Sequence, residues 1–283
     1  MAGPAGMEIR PMGRRELETA VEWAAREGWN PGLADAECFR APDPGGFLMG
    51  FVGDEPVACI SVVRYGGGFG FLGFYIARPE WRGRGYGLAL WNAGLERLAG
   101  RTIGLDGVVA QQGNYRRSGF VLAHRNVRYG GSPGIDAPRD PGIVPVEGGL
   151  VPQVVSYDRA FFPDDRAAFL RCWLSPDRRT ALTLVEDGQV RGYGVIRACR
   201  EGAKIGPLFA DSADGADRLF RALAAAAPGG PVFLDVPEPH RAAVDLATRY
   251  RLAPAFETAR MYRGPAPDLP LARTFGITTF ELG

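Results

Sequence analysis

Apolar residues recur at helical spacing through Leu17, Val21 and Ala24-Ala25, which predicts a helix over Arg14 to Glu27 behind a short strand, Glu8 to Pro11. Gly28-Trp29-Asn30-Pro31-Gly32 breaks that helix, and a second one, Leu33 to Phe39, runs up to the turn Pro42 to Gly46. From Phe47 the pattern turns strand-like. Runs of aromatic and β-branched residues span Phe47 to Val52, Pro56 to Arg64 and Phe69 to Ala77, divided by Gly53-Asp54-Glu55 and Gly66-Gly67-Gly68. Helical spacing returns over Leu88 to Leu98. A strand (Arg101 to Asp106), a short helix (Val109 to Arg117) and a strand (Phe120 to Tyr129) follow. The pattern is a hairpin meander entering a βαβ unit.

Residues 130 to 152 are rich in glycine and proline and read as a linker. Beyond it the order repeats: strands Ala181 to Val185, Gln189 to Cys199 and Lys204 to Phe209, helix Ala213 to Ala227, strand Val232 to Val236, helix Pro239 to Tyr250, strand Ala255 to Arg263. Gly104-Leu105-Asp106 is collinear with Phe233-Leu234-Asp235, and Arg128-Tyr129-Gly130 with Met261 to Gly264. The expectation is an internal duplication: a first domain over 1–131, a linker over 132–152 and a second domain over 153–283. The tail from Phe275 is strand-like, without an assignable partner.

The stretch between the third strand and its helix reads Arg82-Gly83-Arg84-Gly85-Tyr86-Gly87. Alternating glycines let backbone N–H groups converge, and the helix start adds its positive end, so the segment suits a phosphate. Arginine forks match phosphate oxygens, which gives Arg82 and Arg84 a place in such a site. No Walker string occurs. The dinucleotide fingerprint wants its third glycine at Leu88, one place beyond Gly87, although Asp106 lies about 20 residues on, where a ribose-binding acid would sit. In the second half the loop is replaced by Ala210-Asp211-Ser212-Ala213-Asp214, whose carboxylates would repel a pyrophosphate. One competent and one degenerate site is the expectation.

Composition narrows the chemistry. With 33 basic and 32 acidic residues in 283, no nucleic acid or anionic membrane is implied as the main partner. No run is long and apolar enough for a membrane helix, and Met1 to Gly6 resembles no signal peptide, so a cytoplasmic protein with a disordered lead is expected. Cys38, Cys59, Cys172 and Cys199 are far apart and read as buried free thiols. Only two histidines, His124 and His240, are present, which argues against a metal site, and His124 reads as a satisfied structural residue. Lys204, the only lysine, makes Schiff-base chemistry improbable.

Arg82-x-x-Gly85-x-Gly87 resembles the Arg/Gln-x-x-Gly-x-Gly/Ala signature of the GNAT superfamily of N-acetyltransferases. Tyr115, four residues before Gly119-Phe120, matches a second position of that superfamily. The active-plus-degenerate arrangement, with Gly28 to Gly32 and the tail, resembles the two-domain, YitH-like GNAT proteins. The resemblance implies tandem mixed α/β folds, each with a splayed central sheet, and direct transfer of an acetyl group from acetyl-CoA to a primary amine, without a metal. It implies that Gly73 marks a bulge, that Tyr75, Ile76 and Ala77 bond the pantetheine arm, and that Arg82, Gly83, Arg84, Gly85, Tyr86 and Gly87 hold the pyrophosphate. Tyr115 is then the acid, assisted by neighbouring arginines, and Asp106 or Glu27 the base. Asp106 can equally be structural, since Asp235 repeats it. Trp29 and Asn30 lie in the loop that covers the acceptor, and the second domain closes one wall of its pocket. Arg116, Arg117, Arg125 and Arg128 are expected on a solvated face. A non-catalytic acyl-CoA sensor and, further off, a nicotinamide oxidoreductase are the competing functions. The oligomeric state stays open between monomer and homodimer.

Overall fold

In a computed structural model, residues 6–136, 138–227 and 229–283 are described. The expected disordered lead falls mostly on Met1 to Ala5, outside the described residues. The first half runs β1 (Met7–Pro11), α1 (Arg14–Arg26), α2 (Asp35–Arg40), β2 (Phe47–Val52), β3 (Glu55–Tyr65), β4 (Phe69–Ala77), α3 (Tyr86–Arg97), β5 (Thr102–Val108), α4 (Gln112–Arg117) and β6 (Val121–Gly131). The second half continues with β7 (Ile143–Pro145), α5 (Leu150–Asp158), α6 (Ala167–Trp173), β8 (Arg179–Glu186), β9 (Gln189–Ala198), β10 (Ala203–Ala210), α7 (Ala213–Ala225), β11 (Val232–Pro237), α8 (Arg241–Arg249), β12 (Ala253–Arg263) and β13 (Thr274–Gly276).

Two features depart from the sequence expectation. The stretch read as a linker contributes β7, which pairs with β8, and the first turn of α5. Helices α5 and α6 were not expected. Pro152 sits in the first turn of α5, where a missing N–H breaks no helical bond, and α6 has only seven residues, too few to show a period.

The described strands form one mixed sheet in the order β1-β2-β3-β4-β5-β12-β6-β11-β10-β9-β8-β7, with β13 against β10. Thus the halves exchange their last long strands. β12, from the second half, pairs with β5, and β6, from the first, pairs with β11. Arginines lock the exchange. Arg260 on β12 grips Asp106 on β5 at 2.8 and 2.6 Å, and Arg128 on β6 grips Asp235 on β11 at 2.7 and 2.9 Å. Arg128 is therefore the counterpart of Arg260, one residue off the collinear alignment, and it is buried rather than on a solvated face.

Within each half the two central strands part. β4 and β5 are paired only from Phe69–Thr102 to Leu72–Leu105, and β10 and β11 only from Ala203–Val232 to Ile205–Leu234. The bulge that turns β4 away lies at Phe74-Tyr75, where the β3 register shifts and Phe74 has φ 46°. Gly73, expected to mark the bulge, adjoins it and has a further reason to be glycine. The chain from Thr278 to Gly283 runs buried beneath it, and a Cβ at Gly73 would collide with the Glu281 carbonyl oxygen.

A core shared by both halves joins Leu17 and Phe39 from α1 and α2 to Phe169 and Trp173 from α6, with Phe74 and Tyr193 from the sheet. In this core Cys38 and Cys172 form a disulfide, their Cα atoms 5.3 Å apart. The expectation of four free thiols is corrected to two, Cys59 and Cys199. A pairing made by α2 against α6, 134 residues apart, leaves no mark on local spacing.

Candidate active site

The gap between β4 and β5 opens into a cavity of about 620 Å³. Tyr75, Ile76 and Ala77 line it with the free edge of β4. At its mouth lies the glycine loop: Gly83 and Gly85 have φ of 73° and 85°, conformations that other residues resist, and Gly85 immediately precedes α3. A Cβ at Gly87 would lie 2.9 Å from the Tyr75 hydroxyl. No acidic residue occupies the first turn of α3, so its N–H groups and dipole face the cavity mouth unopposed. This arrangement fits a diphosphate with an extended arm running along β4.

Arg82 lines the cavity, and its guanidinium is held at the rim by the Ala77 carbonyl at 2.8 Å and by Glu27 at 2.5 Å. Arg84 points away and stacks over Trp81 at 5.4 Å, and Tyr86 meets the same indole edge-on. Glu27 therefore serves an ion pair at the entrance. Trp29 lines the cavity while its carbonyl accepts a bond from Arg128 at 2.7 Å. Asn30, with φ 48°, turns away from the cavity: its amide nitrogen donates to the Glu201 carbonyl at 2.9 Å, and its amide oxygen accepts from the Glu201 N–H at 3.2 Å.

Tyr115 projects from α4 into the far end of the gap, stacked on Trp91 at 5.5 Å. Gly107 leaves the room for its ring, since a Cβ there would overlap it. Burial, and then the neighbouring Tyr75, push the Tyr115 hydroxyl above the ordinary tyrosine range. The help expected from adjacent arginines is absent: Arg116 and Arg117 are exposed and bond Gln112 and Asn114. Burial likewise pushes Tyr75 up to about 12.

Asp106 also lines the cavity, but both of its oxygens are engaged, by Arg260 and by Asn126 at 2.8 Å. Asp235 is bound in the same way. Burial raises its affinity for protons, and the Arg128 charge outweighs that and holds its carboxyl below the usual range. The aspartate of the repeated Leu-Asp pair thus secures the arginine of an exchanged strand in both halves. His124 Nδ1 donates to the Arg125 carbonyl, 3.1 Å away, and the residue lies outside this cavity; burial and then Arg260 depress its basicity.

The far wall comes from the second half: Phe256 and Thr258 of β12, with Phe280 and Glu281 of the tail. Sequence reasoning did not single out these four. The one available signal was the apolar tail itself, whose strand character has no partner in local sequence. That partner is β10. β13 pairs with it at Leu208–Gly276 and Phe209–Thr274, and the Ile277 N–H donates to the Asp235 carbonyl at 2.9 Å. The tail thus fills the gap of the second half, and in the first half the equivalent gap is the cavity. The acidic loop of the second half is structural too: Ser212 caps α7, while Asp211 bonds Tyr157 and Arg273.

Comparison with known proteins agrees with this arrangement. Residues 13–120 match the acetyltransferase (GNAT) family, and residues 154–276 match an acetyltransferase (GNAT) domain. Holothin acyltransferase of Pseudoalteromonas sp. (strain SANK 73390) is 34% identical over 277 residues, covering 97% of this chain and 94% of that protein. The uncharacterised N-acetyltransferase YitH of Bacillus subtilis (strain 168) is 34% identical over 83 residues, 29% of each chain. A solved structure from Pyrococcus horikoshii, provisionally described as an acetyltransferase, superposes with a TM-score of 0.82 at 24% identity, covering 99% of this chain and 96% of the other. No described helix is long and apolar enough to cross a membrane, and no cluster of metal-ligating side chains occurs among the described residues. With a GNAT match in each half and a full-length acyltransferase relative, the chain belongs to the GNAT acetyltransferase family as a two-domain member.

Proposed function

We propose that the protein transfers an acetyl group from acetyl-CoA to the nitrogen of a small primary amine, by direct attack in a ternary complex. The observation that carries this reading is the unequal fate of the two gaps: β13 fills the second, whereas the first is open and ends at a glycine-rich helix start. In this reading the Arg82 side chain and the backbone N–H groups of Gly83 to Gly87 take the diphosphate, and the β4 edge at Tyr75 to Ala77 takes the pantetheine arm. Tyr115 gives a proton to the departing sulfur. Attack within one assembled complex gains from fixed orientation, and strand N–H groups aimed at the thioester oxygen stabilise the adduct.

A small acceptor is favoured by the closed aromatic wall of Trp29, Phe256 and Phe280, and by a full-length relative named for a single compound, holothin. The second half is then the wall of the acceptor pocket, and Asp106 is assigned to strand locking rather than to proton transfer.

Thermal unfolding with acetyl-CoA, CoA, NAD and ATP added separately tests the cofactor. Acetyl-CoA and CoA at about 100 times their dissociation constants should each stabilise the protein by about 2.7 kcal/mol. Arg82→Glu should abolish both shifts. A shift with NAD alone would replace this reading by a dinucleotide site.

A further inference from the structure

Five buried carboxylates among the described residues are held by arginine, Asp43 by Arg97 at 2.8 Å. Asp106, Asp158 and Asp235 each receive a two-pronged guanidinium, and Asp35 takes Arg197 at 3.1 Å and the Gly32 N–H at 2.9 Å. Glu281 is the exception. It is 3% exposed and lines the cavity, and neither of its carboxylate oxygens has a hydrogen-bond partner among the described residues. A carboxylate placed there for stability alone would be expected to have the bonds that its neighbours have.

Its position is specific. The Glu281 carbonyl lies against Gly73, immediately after the last β4–β5 pair at Leu72–Leu105. This is the apex of the gap, where the two strands part, and Tyr115 and the glycine loop line the same cavity. The charged groups that face it come from four elements: Lys204 of β10, Arg128 of β6, Arg197 of β9 and, opposing them, Asp35 of α2. Lys204 is bonded to the Asn30 carbonyl at 2.9 Å, Arg128 to Asp235, and Arg197 through Nε alone to Asp35, its two terminal nitrogens having no partner among the described residues. They supply field without occupying the lone pairs.

We propose that Glu281 is the proton acceptor for the attacking amine, directly or through one water, an inference that rests on the acyl-transfer reading. The nitrogen lone pair forms the C–N bond at the thioester carbon, and an N–H proton passes to Glu281. The C–S bond then breaks with its electron pair on sulfur, and the sulfur takes the Tyr115 proton. Tyr115 recovers a proton from solvent as Glu281 releases one, so amine and thioester yield amide and thiol with nothing left over. Burial raises the Glu281 carboxyl above the usual carboxylate range, and Lys204 and then Arg128 limit the rise. A carboxylate whose proton affinity is raised in this way is a stronger base than a solvated one.

The test uses the full chain with acetyl-CoA and benzylamine, a flat-ringed amine suited to the aromatic wall, and follows thiol release from pH 5 to 9. Glu281→Gln should lower kcat by about 100-fold or more and remove the acidic limb of the pH profile, with acetyl-CoA binding unchanged. Lys204→Gln, which keeps a donor near Asn30, should move that limb to higher pH, because a cation near the carboxylate is lost. Full activity of Glu281→Gln, with its acidic limb intact, overturns the inference while leaving acyl transfer standing. A wild-type protein that neither binds nor consumes acetyl-CoA overturns the parent reading instead. Should the wild type bind acetyl-CoA but not accept benzylamine, carbon-13 NMR of labelled glutamate in the complex decides, with the signal assigned by its loss in Glu281→Gln. Titration at pH of about 5 to 8 supports the role, and a carboxyl that remains protonated above this range overturns it.

Discussion

At the scale of single residues, the site combines positions fixed by local sequence with positions fixed only by the fold. Arg82 to Gly87 and Tyr115 stand out in the sequence because each belongs to a short motif whose spacing sets its own geometry, and most of them line the cavity. In sequence Asp106 is equally a base or a structural residue, and what separates the two is Arg260, 154 residues away, which no local pattern reports. Glu281 was invisible for the same reason. For Tyr115 the physical consequence is clear in sign. In the proposed role the acid works while protonated, so activity would fall as Tyr115 loses its proton, and burial moves that loss upward. The alkaline limb set by Tyr115 should therefore lie above the ordinary tyrosine value of about 10. Tyr115→Phe should lower kcat by about 100-fold without weakening acetyl-CoA binding, measured by thiol release and calorimetry. Unchanged kcat would move the acid elsewhere.

At the scale of elements, most of the first half follows from periodicity, because its hairpins and helices alternate between clear turn residues. The misread elements are those whose cause is not periodic. α6 is too short, α5 starts inside a glycine- and proline-rich stretch, and β13 has three residues whose partner is β10. The parting of β4 from β5 and a bulge beside Gly73 follow from the sequence reading, whereas the tail packed beneath that glycine does not. Gly73→Ala gives a direct measure of that packing. The φ angle there is not of the kind that demands glycine, so the penalty comes from collision, chiefly with the tail at the Glu281 carbonyl and to a lesser extent with the Ser61 hydroxyl. A loss of about 1 to 3 kcal/mol in urea unfolding is expected, accompanied by a lower kcat. A loss near zero would mean that the tail yields freely.

At the scale of the whole molecule, the duplication was legible as repeated order, and the exchange of strands was not, since both topologies give the same string of elements. The exchange changes what a domain boundary means for this chain. Residues 1–131 contain β6 but not the β12 that flanks β5, and the shared core would lose α6 and its disulfide to α2. A chain cut between 132 and 152 should therefore give a first half that neither unfolds cooperatively nor binds acetyl-CoA, whereas co-expression of the two pieces restores both. A stable, binding-competent first half would contradict this.

The strand exchange also sets an order of events in time. During synthesis β5 emerges long before the strand that will cover its edge, and Asp106 waits for an arginine 154 residues later. Contacts of such separation close slowly, and an exposed strand edge pairs readily with strangers. The growing polypeptide thus carries an unfinished sheet until its second half has left the ribosome, which makes slow translation or crowded expression the natural hazard for its yield.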